Sequence, residues 1–301
     1  MACGIACTNT IFMNKIFIAL LLCLHFSAFS QNKERILYGV VTTDTLTQTP
    51  FESWFTNGYN QYSTNSDIQK QLSTLYKDVK IEAYFGNWCG DSKRELPHFL
   101  KVLNDTKFDK KHLKLIAVGG RDSLYKQSPT GEDAGKGIFR VPVFIVYKNN
   151  IEIGRINEYP VQSCERDLLS ILQNNYSSNY KSFATINSWL NNNTLIDSNV
   201  NVRGLSSQVK HLVSDENELN SLAYLLLNKK RFKEAMAIFR INANLYPTSA
   251  NVISSLGEAY LQTGEKEKAI GVLEKSLEFY PSPTLLKEVL GLLYKAKGVS
   301  N

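Results

Sequence analysis

The feature that most restricts how this 301-residue chain can fold is a segment near its end that is written twice. "LNSLAYLLLNKKRFKEAMAIFRINANLYP" returns 34 positions later as "ISSLGEAYLQTGEKEKAIGVLEKSLEFYP". Leu222 recurs as Leu256, Ala223 as Gly257, Ala235 as Ala269 and Pro247 as Pro281. A self-similar unit of this length cannot bury its apolar face alone, so it must stack on a neighbour. The small residues at 223 and 257 permit close helix approach, and each proline ends a second helix. Leu290, Gly291 and Tyr294 suggest a final capping helix. Two units and a cap are few for such an array, so residues 208–301 are expected to pack on what precedes them.

The other end of the chain reads differently. Residues 14–31, "NKIFIALLLCLHFSAFSQ", hold one Lys, an apolar run from Ile16 to Leu24, and small residues at Ala28 and Ser30. That layout is a secretory signal (residues 1–30) with cleavage between Ser30 and Gln31. Residues 1–12 then form a spurious leader, with Met13 as the true start. Cys23 follows Leu22, where a lipid-attachment cysteine would want a small residue before it. The expected localisation is therefore exported, periplasmic or otherwise extracytoplasmic, without a lipid anchor. Of five cysteines, Cys3, Cys7 and Cys23 leave with the signal, and Cys89 and Cys164 remain. Two cysteines so far apart are no disulfide scaffold, and the core must hold without staples. Lys15 is the only charged residue removed, which leaves a net charge near +5 from the full chain's +6. The basic residues are scattered, so nucleic acid binding has little support. No other segment is apolar enough for a membrane span.

Between these ends the hydrophobic period alternates. "VKIEAYFGNW" reads as a buried strand, and "SKRELPHFLKVLND" as a helix with apolar Leu96, Phe99, Leu100 and Leu103. "HLKLIAVGG" reads as a second strand. "VPVFIVYKNN" and "IEIGRINEY" form a hairpin turning at Asn149 and Asn150, and "SCERDLLSILQNN" closes residues 80–174 as a helix capped by Ser163. Residues 31–79 add an extension: a strand at "RILYGVV" and helices at "TPFESWFTNGYNQY" and "SDIQKQLSTLYKD", with Pro50 in a first turn. Residues 175–207 are Asn- and Ser-rich, the composition of a linker or loosely packed connector, although Trp189 and Leu190 inside it have apolar surface to dock.

Two resemblances follow. "AYFGNWCGDSKRELP" resembles the active-site segment of thioredoxins, Trp-Cys-Gly-Pro-Cys between a central strand and a helix. Trp88, Cys89, Gly90 and Pro97 fall on matching positions, and Val141-Pro142 in "GIFRVPVFIVYKNN" falls at the family's cis-proline. The resemblance covers residues 78–174, with an enlarged loop at 121–136. Residues 216–297 resemble tetratricopeptide repeats. Together they imply an α/β thioredoxin-like domain, a mixed sheet flanked by helices, followed by an all-α repeat domain. Repeats of this family often bind peptides. The first-helix positions here are Asn220, Tyr224, Ser254 and Glu258, which do not match the Lys and Asn set that holds a carboxylate.

The chemistry implied by the first resemblance is incomplete, because Ser92 stands where the second cysteine belongs. Cys89 at a helix N-terminus would be the nucleophile of thiol–disulfide exchange. Ser92 would donate a hydrogen bond to the thiolate but cannot resolve a mixed disulfide. Gly90 would give the tight turn, and Trp88 apolar contact beside the sulfur. Val141 and Pro142 would offer the substrate-binding backbone edge. Lys93 and Arg94 favour the thiolate and Asp91 opposes it. The family's buried acid falls on Ala83, so the acid is lost together with the thiol that it serves. Gly86 replaces the Thr that a peroxidatic site would want. Cys164 reads as a small buried or half-exposed residue, and His98 as a surface or packing histidine. "GEDAGKG" at 131–137 lacks the spacing of a phosphate loop, and nothing in the sequence calls for a metal or another cofactor.

Three readings remain open at this level. One is an exported monothiol protein acting on protein or small thiols, with the repeats recruiting a protein or peptide. The second is a non-catalytic adaptor that uses both surfaces only to bind. The third is an assembly factor of a larger envelope complex.

Overall fold

The computed structural model describes residues 35–197 and 199–299. The expected signal at 1–30 lies outside the described residues, and so does the expectation of export that rests on it.

Five strands form one mixed sheet in the order β1-β3-β2-β4-β5. They are β1 (Gly39–Val41), β2 (Val79–Phe85), β3 (Leu113–Ala117), β4 (Val143–Lys148) and β5 (Ile151–Asn157). β2 runs parallel to β3, and every other pairing is antiparallel. A parallel pair needs a crossover, and α4 (Gly90–Asp105) supplies it. The β4–β5 hairpin turns on Asn149 and Asn150, whose φ angles of 54° and 64° are the left-handed pair a tight hairpin turn demands. Then α5 (Cys164–Leu172) returns across the sheet, with Ser163 Oγ accepting the Arg166 N–H at its start. Before β2 come a single turn α1 (Thr43–Leu46), α2 (Glu52–Gln61) and α3 (Ser66–Leu72).

Some expected bounds move. β2 ends at Phe85, so Gly86 to Trp88 lie outside the strand, with Asn87 and Trp88 in a turn. The first expected strand shrinks to three residues. α3 stops at Leu72, six residues short of the expected span. Pro50 precedes α2 by two residues, after a cis Thr49–Pro50 bond, and is not in its first turn.

The two faces of the sheet bury different residues, as the period of two requires. Val79, Ile81, Ala83 and Phe85 face a large core with α2, α3, α4 and α5. Tyr84, Ile116, Val118, Val143 and Ile145 form a smaller core on the other face, and Trp88 and Cys89 pack against that one. Phe99 of α4 stacks on Phe144 of β4 at 4.0 Å between ring centroids, 10° from parallel. Both rings are fully buried. Phe99→Ala is therefore expected to lower unfolding stability by about 3–5 kcal/mol, read from denaturant midpoints, because the stack and its enclosed volume are lost together.

The remainder is helical: α6 (Ser182–Asn191), α7 (Val202–Val209), α8 (Glu216–Asn228), α9 (Phe232–Leu245), α10 (Ala250–Gln262), α11 (Lys266–Leu277) and α12 (Pro283–Lys297). α8/α9 and α10/α11 are the two written copies. Ala223 is fully buried, and a Cβ on Gly257 would lie 2.6 Å from Leu273 Cγ, so the small pair sets how closely helices approach. α12 covers the second copy with Val289 and Leu293.

The Asn- and Ser-rich stretch is not a loose connector. It folds largely as α6 and α7, and Trp189 and Leu190 are buried. Ile186, Trp189 and Leu190 recur at helical spacing, and their burial outweighs the polar composition between them. They belong to one apolar cluster that runs from Phe139, ahead of β4, through Tyr180 and α7 into α8 and α9. The repeat region is thus fused to the α/β region by a shared core.

Candidate functional site

β2 and α4 position the cysteine. The chain leaves β2 at Phe85, turns through Gly86 and Asn87, and starts α4 with Cys89 as N-cap residue at φ −96°, ψ 127°. The turn is held from three sides. Asn87 Oδ1 accepts the Leu37 N–H at 2.9 Å, and Gly86 N–H donates to Ser92 Oγ at 3.1 Å. Trp88 Nε1 donates to Val118 O at 2.8 Å. The Trp88 ring lies so close to the backbone that a Cβ on Gly86 would stand 2.4 Å from it, and one on Gly120 2.7 Å. Gly120→Ala is accordingly expected to push Trp88 out of place, seen as a red shift and greater quenching of its fluorescence, and to cost about 1–3 kcal/mol.

Cys89 is half-buried, and its thiol donates to Val141 O at 3.3 Å. The Val141–Pro142 bond is cis. Cys89, Trp88, Val141 and Pro142 are thus brought to one place. Asp91, next to the sulfur in sequence, is paired with Arg94 at 2.7 Å, which offsets the carboxylate charge. Arg94 also bonds Glu95, and these partners with His98 hold the Glu95 carboxyl below its ordinary range against the opposing effect of burial. His98 stacks on Tyr62 at 4.5 Å, a packing role.

Two residues sit differently from the sequence expectation. Ser92 is fully buried, with its oxygen bound to the Gly86 amide, so it secures the turn below the cysteine. Gly90 has no left-handed backbone, and a Cβ there would meet nothing within 4 Å; neither turn nor packing requires glycine. Cys164 is buried in the core on the opposite face of the sheet, where burial and nearby carboxylates push its thiol well above the usual range. Cys89 and Cys164 are both free thiols.

Sequence reading missed Tyr125, Lys126 and Arg140. Lys126 is buried, and Nζ donates to Phe139 O at 2.6 Å. Desolvation, then the Arg140 charge, lower its pKa to about 7, while Glu158 and Cys89 act the other way. A lysine with a lower pKa folded than unfolded binds fewer protons in the native state. Stability should therefore rise with pH between about 7 and 10 by this contribution. Lys126→Met should flatten that rise in melts taken across the window.

The repeats supply a second surface. A cleft of about 240 Å³ lies between the first helices of the copies, α12 and the loop residue Tyr125. Asn220, Tyr224, Ser254 and Glu258 all line it. Asn220 and Ser254 are nearly fully buried, and Asn220 bridges Asn242 and Ser255. They form its floor. Tyr224 and Glu258 are half-buried and joined by a 2.7 Å hydrogen bond. The loop beside it is anchored to the repeats by Asp133, which accepts from Lys229 Nζ at 2.6 Å and from Ser128 N–H at 2.8 Å. Among the described residues, no helix is long and apolar enough to cross a membrane, and no group of His, Cys, Asp and Glu could hold a metal ion.

Comparison with known proteins agrees with the duplicated helices. Residues 250–283 match the tetratricopeptide-repeat family. That span is α10 and α11, the second copy. The chain is also similar to a dynein 16 kDa light chain of the flagellar outer arm from Chlamydomonas reinhardtii, 27% identical over 111 residues, which is 37% of this chain and 68% of that protein. Tetratricopeptide repeats suggest protein–protein interaction, and that is the part of the function the comparisons support.

Proposed function

We propose that this protein is a thioredoxin-like monothiol protein that exchanges disulfides through Cys89 and recruits a protein partner through its repeats. The observation that carries the proposal is the meeting of a cysteine at a helix N-terminus with the carbonyl of Val141, one residue before a cis-proline. The β2-α4-β3 and β4-β5-α5 order around that meeting is what a thioredoxin-like domain requires. Half-burial leaves the sulfur open to a disulfide, and the empty space over Gly90 leaves room for the partner's chain. Trp88, Val141 and Pro142 would border the bound segment, which pairs with backbone edge as an added strand does. Exchange needs one thiolate: Sγ attacks, a new S–S bond forms, and the departing sulfur leaves with the electron pair. Release then needs an outside thiol.

Export belongs to the same proposal, through the sequence of residues 1–30, and so do thiol partners. The test is exposure of the full chain to glutathione disulfide, with the modified peptide identified by mass spectrometry. Mixed disulfide on Cys89 supports exchange. Modification of Cys164 instead, or of neither, overturns it. An adaptor reading is favoured by one separate observation, the polar cleft that Tyr125 closes against the repeats. It predicts partner capture that survives Cys89→Ala and is lost on Glu258→Lys.

A further inference from the structure

We propose that the free edge of β5 is a docking groove for a short extended segment of a partner protein, which joins the sheet as a sixth strand. Docking there is separate both from exchange at Cys89 and from the repeat cleft.

β5 ends the sheet and pairs only with β4. The ladder decides which of its main-chain groups are left over. Glu158 N–H donates to Pro142 O at 2.7 Å, in register with the Asn157–Val143 pair that follows, so Glu158 and Pro142 form a hydrogen-bonded pair. Alternate residues of an antiparallel strand turn to the same side, which sends Ile156 and Gly154 towards β4 and Asn157 and Arg155 away from it. The other edge of β4 agrees. Asn149 N–H donates to Asp78 O at 3.1 Å, so the odd-numbered residues of β4 turn to β2 and the even-numbered ones to β5. On the open side the Asn157 carbonyl is already taken, by Asn179 Nδ2 at 3.1 Å. Two residues along, the Arg155 N–H and C=O have no partner among the described residues.

A groove of about 710 Å³ follows this edge. Gly154, Arg155 and Asn157 line it from β5, and Tyr176, Phe183 and Asn187 from the facing segment. Charged side chains commonly guard an open edge. Arg155 does not, because its side chain is folded back: it bonds Glu152 at 2.6 and 2.7 Å and Lys136 O at 2.7 Å, and lies 4.6 Å from the Phe183 ring centre.

The groove also describes its occupant. Asn157 is 1% exposed and its Oδ1 accepts no hydrogen bond, so a donor side chain belongs beside it. Lys181, exposed on the facing wall, has no ion pair among the described residues, and an acidic side chain complements it. The register shift at Val146 and Tyr147 ends the regular edge, which keeps the added strand short. A second copy of this chain fits poorly. Each β5 edge lies behind its own 176–187 wall, and two such edges would have to come within about 4.8 Å.

The experiment titrates the isotope-labelled full chain, followed by NMR, with an acetylated and amidated hexapeptide, Thr-Val-Asp-Val-Thr-Val. Two further forms are N-methylated at alternate residues, one on each set, so that each loses the donors of one strand edge. We expect saturable shifts centred on Arg155 and Asn157, and exchange of the Arg155 amide slowed at least tenfold. One methylated form should bind as the parent does and the other not at all, since only one set of N–H groups faces β5. Replacing the Asp of the peptide by Lys should weaken binding severalfold. Ala184→Trp, at an exposed position on the facing wall, should abolish the shifts while circular dichroism and melting stay those of the wild type. Absence of saturable shifts at millimolar peptide, equal behaviour of the two methylated forms, or shifts centred instead on Tyr224 and Glu258 or on Trp88 each overturn the proposal. A dimer that protects the Arg155 amide without peptide overturns it too, by making a second copy the occupant.

Discussion

Under the proposed exchange through Cys89, Ser92→Cys is expected to yield a chain that releases its partner and reduces insulin, where wild type would stall as a mixed disulfide. Wild type, recovered under thiol-blocking conditions, should carry reducible adducts; Cys89→Ala should carry none. The residue at 92 lies one turn along α4 from Cys89, where Cβ atoms are about 5–6 Å apart, near enough for a disulfide after a small adjustment. The new thiol can attack the Cys89–partner bond, and the partner sulfur leaves. The substitution has a local cost, because Ser92 Oγ accepts the Gly86 amide and sulfur is the poorer acceptor. About 1 kcal/mol of stability should be lost. Turnover should stay below that of a full dithiol enzyme, since Ala83 offers no acid. Adducts that persist unchanged in Ser92→Cys would show that the missing thiol is not what arrests the cycle.

Lys229→Met is expected to be more damaging than Asp133→Asn, although both break the same ion pair. Asp133 is almost fully buried, with side-chain exposure of 4% against 19% for Lys229. Removing the lysine leaves a carboxylate that water cannot reach, whereas removing the carboxylate leaves an ammonium that can turn outward. The expected loss for Lys229→Met is about 2–4 kcal/mol, roughly 5–10 °C in melting temperature for a unit of this size. In the double variant the two losses should not add, because the second substitution removes a group already stranded by the first. Amide exchange should accelerate across 121–136 and leave β2 and β4 unaffected. Additive losses, or exchange that rises in the sheet as well, would mean that the pair does not anchor the loop.

What could be read from the sequence was local. The Cys89 turn, the Val141-Pro142 segment, the Ser163 cap and the two helical copies each lie within one short run of residues, and each run fixes its own geometry. The connector was misread for the same reason. Its polar residues dominate the composition, while Ile186, Trp189 and Leu190 reveal a helix only once a surface exists to bury them. Gly90 and Ser92 were given roles from their place beside the cysteine, but their surroundings come from elsewhere in the fold. Tyr125 and Lys126 carried no signal at all. They sit in a loop of Gly, Asp and Ser, and are placed by backbone pairing with Gly119, where Lys126 N–H donates to Gly119 O at 2.7 Å and Gly119 N–H to Gln127 O at 3.1 Å, contacts that no local pattern announces.

The fused core around Phe139 has a last consequence. Phe139 stacks on Phe183 and meets Tyr180 edge-on, while three residues later the same segment presents Pro142 to the cysteine. The segment that meets the sulfur and the helices that build the repeat cleft therefore share one apolar core, which under the proposed function would act as a ruler. On that proposal, a client lodged in the cleft would offer to Cys89 only a disulfide lying at a set span of chain from its anchor. Shortening the client between those points should disqualify it, and lengthening it should dilute its reactive bond, with both contact surfaces unchanged.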